Sequence, residues 1–300
     1  MKSWKPILYA LGAAALYAIN TPLSKLLLSS VPSTLMAAFL YLGAGLGVGL
    51  MYLFHRKKED RSERIGKSDL PYTVGMIVLD ILAPIFLMIG IKYGSAANAS
   101  LLGNFEIVAT TLIALIAFKE TVTRRLWIAI ALITASSIVL SFNGNGSFPL
   151  SVGSLFILLA TVCWGLENNC TRSISDKSAY EIVLLKGVFS GGGSFLIAMI
   201  LGERLPEVKY IALAMLLGFV AYGLSIFLYV KAQYFLGAAK TSAYYAAAPF
   251  VGSFLCFLLL GEKLNGAYFL GLFIMIAGTA FVVTDTLDRR SGSENPKSET

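Results

Sequence analysis

Charge is what this chain has least of. Asp, Glu, Lys and Arg make up 14% of its 300 residues, whereas a soluble globule carries about a quarter. The charges it has are clustered, and long uncharged runs lie between them. Histidine occurs once, as His55 in a basic stretch, and no HExxH or Cys/His cluster exists. That leaves no histidine- or thiolate-based metal centre and an intramembrane enzyme without its usual base. Cysteine occurs three times, as Cys163, Cys170 and Cys256, all inside apolar runs. They supply neither a disulfide framework nor metal-ligand spacing and read as small buried hydrophobes. No polar stretch is long enough to form a second, soluble domain.

Apolar length is what is abundant. Hydrophobic residues are 57% of the chain and the mean hydropathy is +0.75. Runs of about 18 residues or more with few charges cover the roughly 30 Å of a bilayer's hydrocarbon. Ten such segments can be drawn, at 6–28, 33–54, 71–91, 95–118, 126–142, 151–172, 179–201, 210–231, 237–260 and 264–286. The first follows Met1-Lys2-Ser3-Trp4-Lys5 like a signal peptide's apolar core. It continues past Asn20 and Pro22 to Leu28, however, and is read as a retained helix. The expectation is an all-α integral membrane protein with a polar, disordered tail at 289–300.

The formal charge of +7 does not mark a nucleic-acid binder, because its basic residues gather in short connections rather than on a surface with interleaved aromatics. Placing the N-terminus inside assigns 18 Lys and Arg to the inner segments, chiefly the stretch from Arg56 to Lys67. Only Lys25, Lys92, Arg204, Lys209 and Lys263 fall outside, and Lys186 lies within a span. The asymmetry predicts both termini on the cytoplasmic side of the cell membrane.

The chain also repeats itself. At an offset of 142, Ala97-Asn98-Ala99-Ser100 falls on Ala239-Lys240-Thr241-Ser242, Lys119-Glu120 on Gly261-Glu262, and Ser136-Ser137 on Gly278-Thr279. At an offset of 147, Tyr17-Ala18-Ile19-Asn20 falls on Trp164-Gly165-Leu166-Glu167. Five spans per copy is an odd number, so the second copy enters the membrane from the opposite side. The domains expected are therefore 1–148 and 149–288, two inverted five-helix repeats. Inverted repeats are a recurring plan of secondary transporters, with the substrate site near the midplane where the halves meet.

These elements resemble the EamA branch of the drug/metabolite transporter superfamily, the ten-helix permeases. The resemblance is carried by Tyr234-Phe235-Leu236-Gly237-Ala238-Ala239-Lys240-Thr241-Ser242-Ala243, Pro249 and Leu260-Gly261-Glu262-Lys263-Leu264. In the first half Tyr93-Gly94-Ser95-Ala96-Ala97, Lys119-Glu120 and Tyr17-Ala18-Ile19-Asn20-Thr21-Pro22 correspond. It implies a permease or exporter of a small organic metabolite or drug, working by alternating access. Members of the family carry amino acids, nucleosides, drugs and other metabolites, so the substrate stays open. Two positions depart from the family's pattern. Ile107 stands where the second half has Pro249. Phe39-Leu40-Tyr41 occupies the region of a frequent arginine, whose nearest second-half counterpart is Lys186.

Ionisable groups inside spans are costly and usually face a cavity or a partner. Four qualify: Asp80, Glu106, Glu167 and Lys186. Asn20 is the repeat partner of Glu167, and Asn98 lies two turns before Glu106. Three carboxylates against one lysine leave net negative charge. A cationic substrate or a proton can neutralise it, which predicts competition between the two for one site. An internal ion pair serving only packing is the other reading of these groups. Tyr17, Trp164, Tyr244 and Tyr245 supply aromatic walls suited to cation–π contact. No cofactor or metal is implied. The partners expected are the bilayer, a small molecule and protons as coupling ion, with the protein a monomer or homodimer. Runner-up readings are an amino-acid or phosphorylated-metabolite carrier and a non-transporting receptor or scaffold.

Overall fold

The computed structural model describes residues 4–56, 63–94, 102–103, 105–141, 152–261 and 266–293. Every regular element among them is helical. The rods are α1 (Lys5–Leu27), α2 (Ser33–His55), α3 (Leu70–Tyr93), α4 (Phe105–Ile116), α5 (Arg124–Ser141), α6 (Val152–Ser173), α7 (Ala179–Ile200), α8 (Val208–Leu236), α9 (Ala238–Leu260) and α10 (Gly266–Ser293). Six of them, α1, α2, the 27-residue rod Lys67–Tyr93 that contains α3, α7, α8 and α9, are long and apolar enough to cross a membrane, and shorter apolar helices accompany them. The outer faces are greasy: Leu46, Phe54, Ile116, Leu196, Ile200 and Phe273 are all more than half exposed. Side chains like these are stable only against lipid, so the chain is a multi-pass membrane protein.

Most helix ends fall within two or three residues of the hydropathy segments, because the same runs that cover the bilayer propagate helix until Gly, Pro or charge intervenes. Two differences stand out. α8 continues to Leu236, five residues past the expected end at 231, since nothing breaks helix before Gly237. α10 likewise continues to Ser293, so residues 289–293 prolong a helix where a disordered tail was expected. Residues 95–101 of the fourth segment, Asn98 among them, lie outside the described residues.

Several rods are interrupted. α1 breaks at Ile19, one turn before Pro22, whose ring clashes with the carbonyl four residues back and whose nitrogen has no hydrogen to donate. α9 breaks at Ala246–Ala247, just before Pro249. Lys186–Ser190 in α7 and Gly218–Leu224 in α8 are π-turns, a distortion often found at functional sites.

The packing has a reciprocal pattern. α3 runs along α6 and α8 along α1; α4 packs on α6 and α9 on α1. α2 crosses α7, α4 meets α9, and α5 pairs with α10. The α2–α7 crossing depends on glycine, because a Cβ on Gly187 would come within 2.2 Å of the Gly45 Cα. Only two residues without side chains let these backbones approach so closely. On the α5–α10 face, Ser136 Oγ donates to the Gly271 carbonyl at 2.6 Å.

Candidate functional site

The breaks and π-turns border a central cavity. Its walls carry Asp80 of α3, Glu106 of α4, Trp164 and Glu167 of α6, Lys186 of α7, Tyr17 of α1, and Tyr222, Ile226 and Tyr229 of α8. Tyr41 of α2, Asn168 and Thr171 of α6, and Tyr245 of α9 complete it. The free space is about 50 Å³, room for a few waters and too little for a metabolite. In this conformation the site is largely filled by its own side chains.

One wall is an ion cluster. Lys186 Nζ lies 3.0 Å from Asp80 Oδ2 and donates to Glu167 Oε1. Tyr41 OH donates to Asp80 Oδ1 at 2.6 Å, and Thr171 Oγ1, one helical turn after Glu167, donates to the same glutamate oxygen. The side chains of Lys186, Asp80 and Glu167 are at most 5% exposed, so each charge depends on the others for solvation. Lys186 opens the π-turn of α7, which sets the direction of its side chain from the backbone upward.

The second acidic position is different. Glu106 accepts from Asn168 Nδ2 at 2.7 Å and has no cationic partner among the described residues. Asn168 is itself held, its Nδ2 donating to Thr110 Oγ1 at 3.1 Å while its backbone carbonyl accepts from Gln233 Nε2 at 2.9 Å. With every group ionised, three carboxylates and one ammonium leave the cavity two charges negative.

The third wall is aromatic. The Tyr17 ring lies 6.3 Å from Trp164, 5.7 Å from Tyr222 and 5.4 Å from Tyr245. Tyr229 meets Tyr245 at 4.9 Å, and Tyr222 meets Tyr41 at 5.1 Å. Such a cluster presents several electron-rich faces next to carboxylates, a combination that favours an organic cation.

Of the residues singled out in the sequence, Tyr17, Asp80, Glu106, Trp164, Glu167, Lys186 and Tyr245 come together here. Asn20 is fully buried at the break of α1, accepting from Ser24 Oγ at 2.9 Å, beside the cavity rather than on its wall. Tyr244 is also buried but packs into a separate apolar cluster with Ile7, Ile107 and Phe250. Neighbouring helical residues point about 100° apart, so with Tyr245 turned to the cavity, Tyr244 is turned away from it. Sequence reading missed Tyr41, Thr171, Tyr229 and Ile226. Thr171 had a signal, its spacing of four from Glu167; the tyrosines looked like any others in apolar runs.

Both ends of the bundle are tied by acidic side chains. At one, Glu203 accepts from the Thr34 and Leu35 backbone N–H groups at 3.2 and 2.8 Å, capping α2. At the other, Glu181 of α7 accepts from Tyr52 OH at 2.8 Å and from Ile65 N–H at 2.9 Å. Glu120 lies 3.5 Å from Arg172 and accepts from Ala238 N–H at 3.2 Å.

The model of the EamA-like transporter family matches this chain over residues 4–142 and again over 151–284. An uncharacterised transporter of Methanothermobacter thermautotrophicus is 24% identical over 286 residues, covering 89% of this chain and 82% of the relative. The permease-like protein YdzE of Bacillus subtilis is 28% identical over 71 residues, 24% of this chain and 91% of its own length. A solved crystal structure superposes with a TM-score of 0.74 at 17% identity, over 95% of this chain and 98% of the other. That likeness concerns the fold alone.

Proposed function

The chain belongs to the EamA-like transporter family, and from that premise we propose that it exchanges a small organic cation for protons across the cell membrane by alternating access. The observation that carries this reading is Glu106: a cavity carboxylate hydrogen-bonded to an amide, facing tyrosines, with no cation beside it among the described residues. A charge held there at membrane depth is expensive until a proton or a cation neutralises it. Because one group serves both, binding of one expels the other.

Lys186 argues against an anionic substrate. Its ammonium is already shared between Asp80 and Glu167, so a phosphate or carboxylate would have to displace two carboxylates from it. The cation reading needs no such exchange.

The transport cycle rests on ten spans in two inverted repeats, 1–148 and 149–288. The twofold match of one family model supports that plan. So does the reciprocal packing, in which α3–α6 answers α8–α1 and α4–α6 answers α9–α1. Glu203 and Glu181 act as latches at opposite ends; releasing one while keeping the other opens the cavity to one side. With both termini cytoplasmic, the Glu181 latch faces the cytoplasm.

The test is proton release. Adding tetramethylammonium to the purified protein in weakly buffered detergent should release about one proton per cation bound. In proteoliposomes, a pH gradient should drive cation flux in the opposite direction. Cation binding with no proton released would overturn the exchange mechanism, and failure of a panel of amines and quaternary ammonium ions to bind at all would overturn the substrate class.

A further inference from the structure

A second concavity lies beside the central one, between α1 and the first half of α8. Its volume is about 640 Å³, and Ile19, Leu23 and Leu27 face Leu213, Leu216 and Val220 across it. Among the described residues, no charged side chain lines it. Leu213 and Leu216 are 51% and 60% exposed, so the groove opens sideways onto the hydrocarbon of the bilayer.

Groove and cavity lie on opposite sides of the seam where α1 packs on α8. Ile19 lines the groove while Tyr17 lines the cavity; Val220 lines the groove while Tyr222 lines the cavity. Both strips of this seam depart from regular α-helix. On α1 it is the break at Ile19; on α8 it is the π-turn Gly218–Leu224. Helix is least rigid where its hydrogen-bond ladder is interrupted. Polar groups are stranded there as well: Asn20 Nδ2 and Tyr222 OH are buried near each other without a hydrogen bond of good geometry, a cost that a ligand's polar atoms or a water would relieve.

The two volumes complement each other. The polar cavity has charge but little space, and the groove has space but no charge. We propose that they form one divided site, in which an amphipathic cation places its headgroup among the cavity carboxylates and its hydrocarbon tail in the α1–α8 groove. This rests on the cation reading of the cavity. It adds lateral entry from the bilayer through the seam, and it assigns the chain a substrate with an alkyl or aryl tail.

The test uses the full-length protein in detergent and a series of alkyltrimethylammonium ions, from tetramethyl to dodecyltrimethyl, with isothermal titration calorimetry reporting affinity. Affinity should rise about fourfold per added methylene until the groove is filled. Leu216→Trp, which fills the groove, should flatten that slope, and because the slope is a ratio it does not depend on headgroup affinity. In the wild-type protein, a diazirine on the tail's last carbon should label α1 and α8 around Leu23 and Leu216. Labelling spread over the lipid-facing surface, or an unchanged slope in Leu216→Trp, would mean that the groove holds only ordinary lipid and would overturn the proposal. Loss of the tail effect with tetramethylammonium binding intact defeats the groove alone. Failure of tetramethylammonium itself to bind defeats the cation reading beneath it, and the divided site with it.

Discussion

Lys186 Nζ stands 3.0 Å from Asp80 Oδ2, an ion pair that joins α7 to α3 across the middle of the molecule. The lysine also holds Glu167 of α6, so one ammonium neutralises parts of two carboxylates contributed by distant stretches of chain. Its removal strands both. Lys186→Met should lower stability by about 3–5 kcal/mol, as when one partner of a buried pair is deleted. Adding Asp80→Asn and Glu167→Gln to the same protein should recover most of the loss, because neutral groups of the same shape need no counter-charge. Thermal unfolding in detergent checks both; a triple variant no more stable than Lys186→Met would show that the cluster is not coupled by charge.

Glu106 should behave in the opposite way. It balances no lysine, so Glu106→Gln keeps the hydrogen bond with Asn168 and should melt within a few degrees of the wild type. Its cation affinity should fall at least tenfold, and the proton released on binding should disappear. In the wild type, affinity should fall as pH falls, since a protonated carboxyl attracts a cation only weakly. Asp80, Glu167, Lys186 and the cavity tyrosines also face this space, so pH dependence that survives intact in Glu106→Gln would move the coupling to the Asp80–Lys186–Glu167 cluster.

Glycine at the α2–α7 crossing gives a packing test. Gly187→Ala puts a methyl 2.2 Å from the Gly45 Cα and should destabilise by about 1–3 kcal/mol. Gly192→Ala, on the same helix, meets nothing within 4 Å and should be neutral or slightly stabilising. Equal melting temperatures for the two variants would contradict the close crossing.

The latches predict sidedness. Glu203→Ala should make a cysteine placed in the cavity, at Thr171, more reactive to a thiol reagent supplied from the Glu203 end, and Glu181→Ala should do so from the other end. Cysteines at Ser68 and Gly202, both exposed, should label from opposite faces of the membrane. Labelling of both from one face would defeat the ten-span inverted arrangement.

Hydropathy and composition alone determined that this chain lies in a membrane and, within a few residues, where most of its helices run. Transfer from water to lipid is a nearly additive property of neighbouring residues, and so it can be read locally. The costly ionisable groups were visible for the same reason, because Asp80, Glu106, Glu167 and Lys186 interrupt apolar runs. Tertiary structure decided which of them meet. Nothing local told Lys186 to take Asp80 and Glu167 and leave Glu106 with an amide, nor Tyr41 and Tyr229 to join the cavity. Tyr244 and Tyr245 were indistinguishable as neighbours in sequence. Their separation depends on the rotation of α9 about its axis, and that angle is set by the helices packed around it.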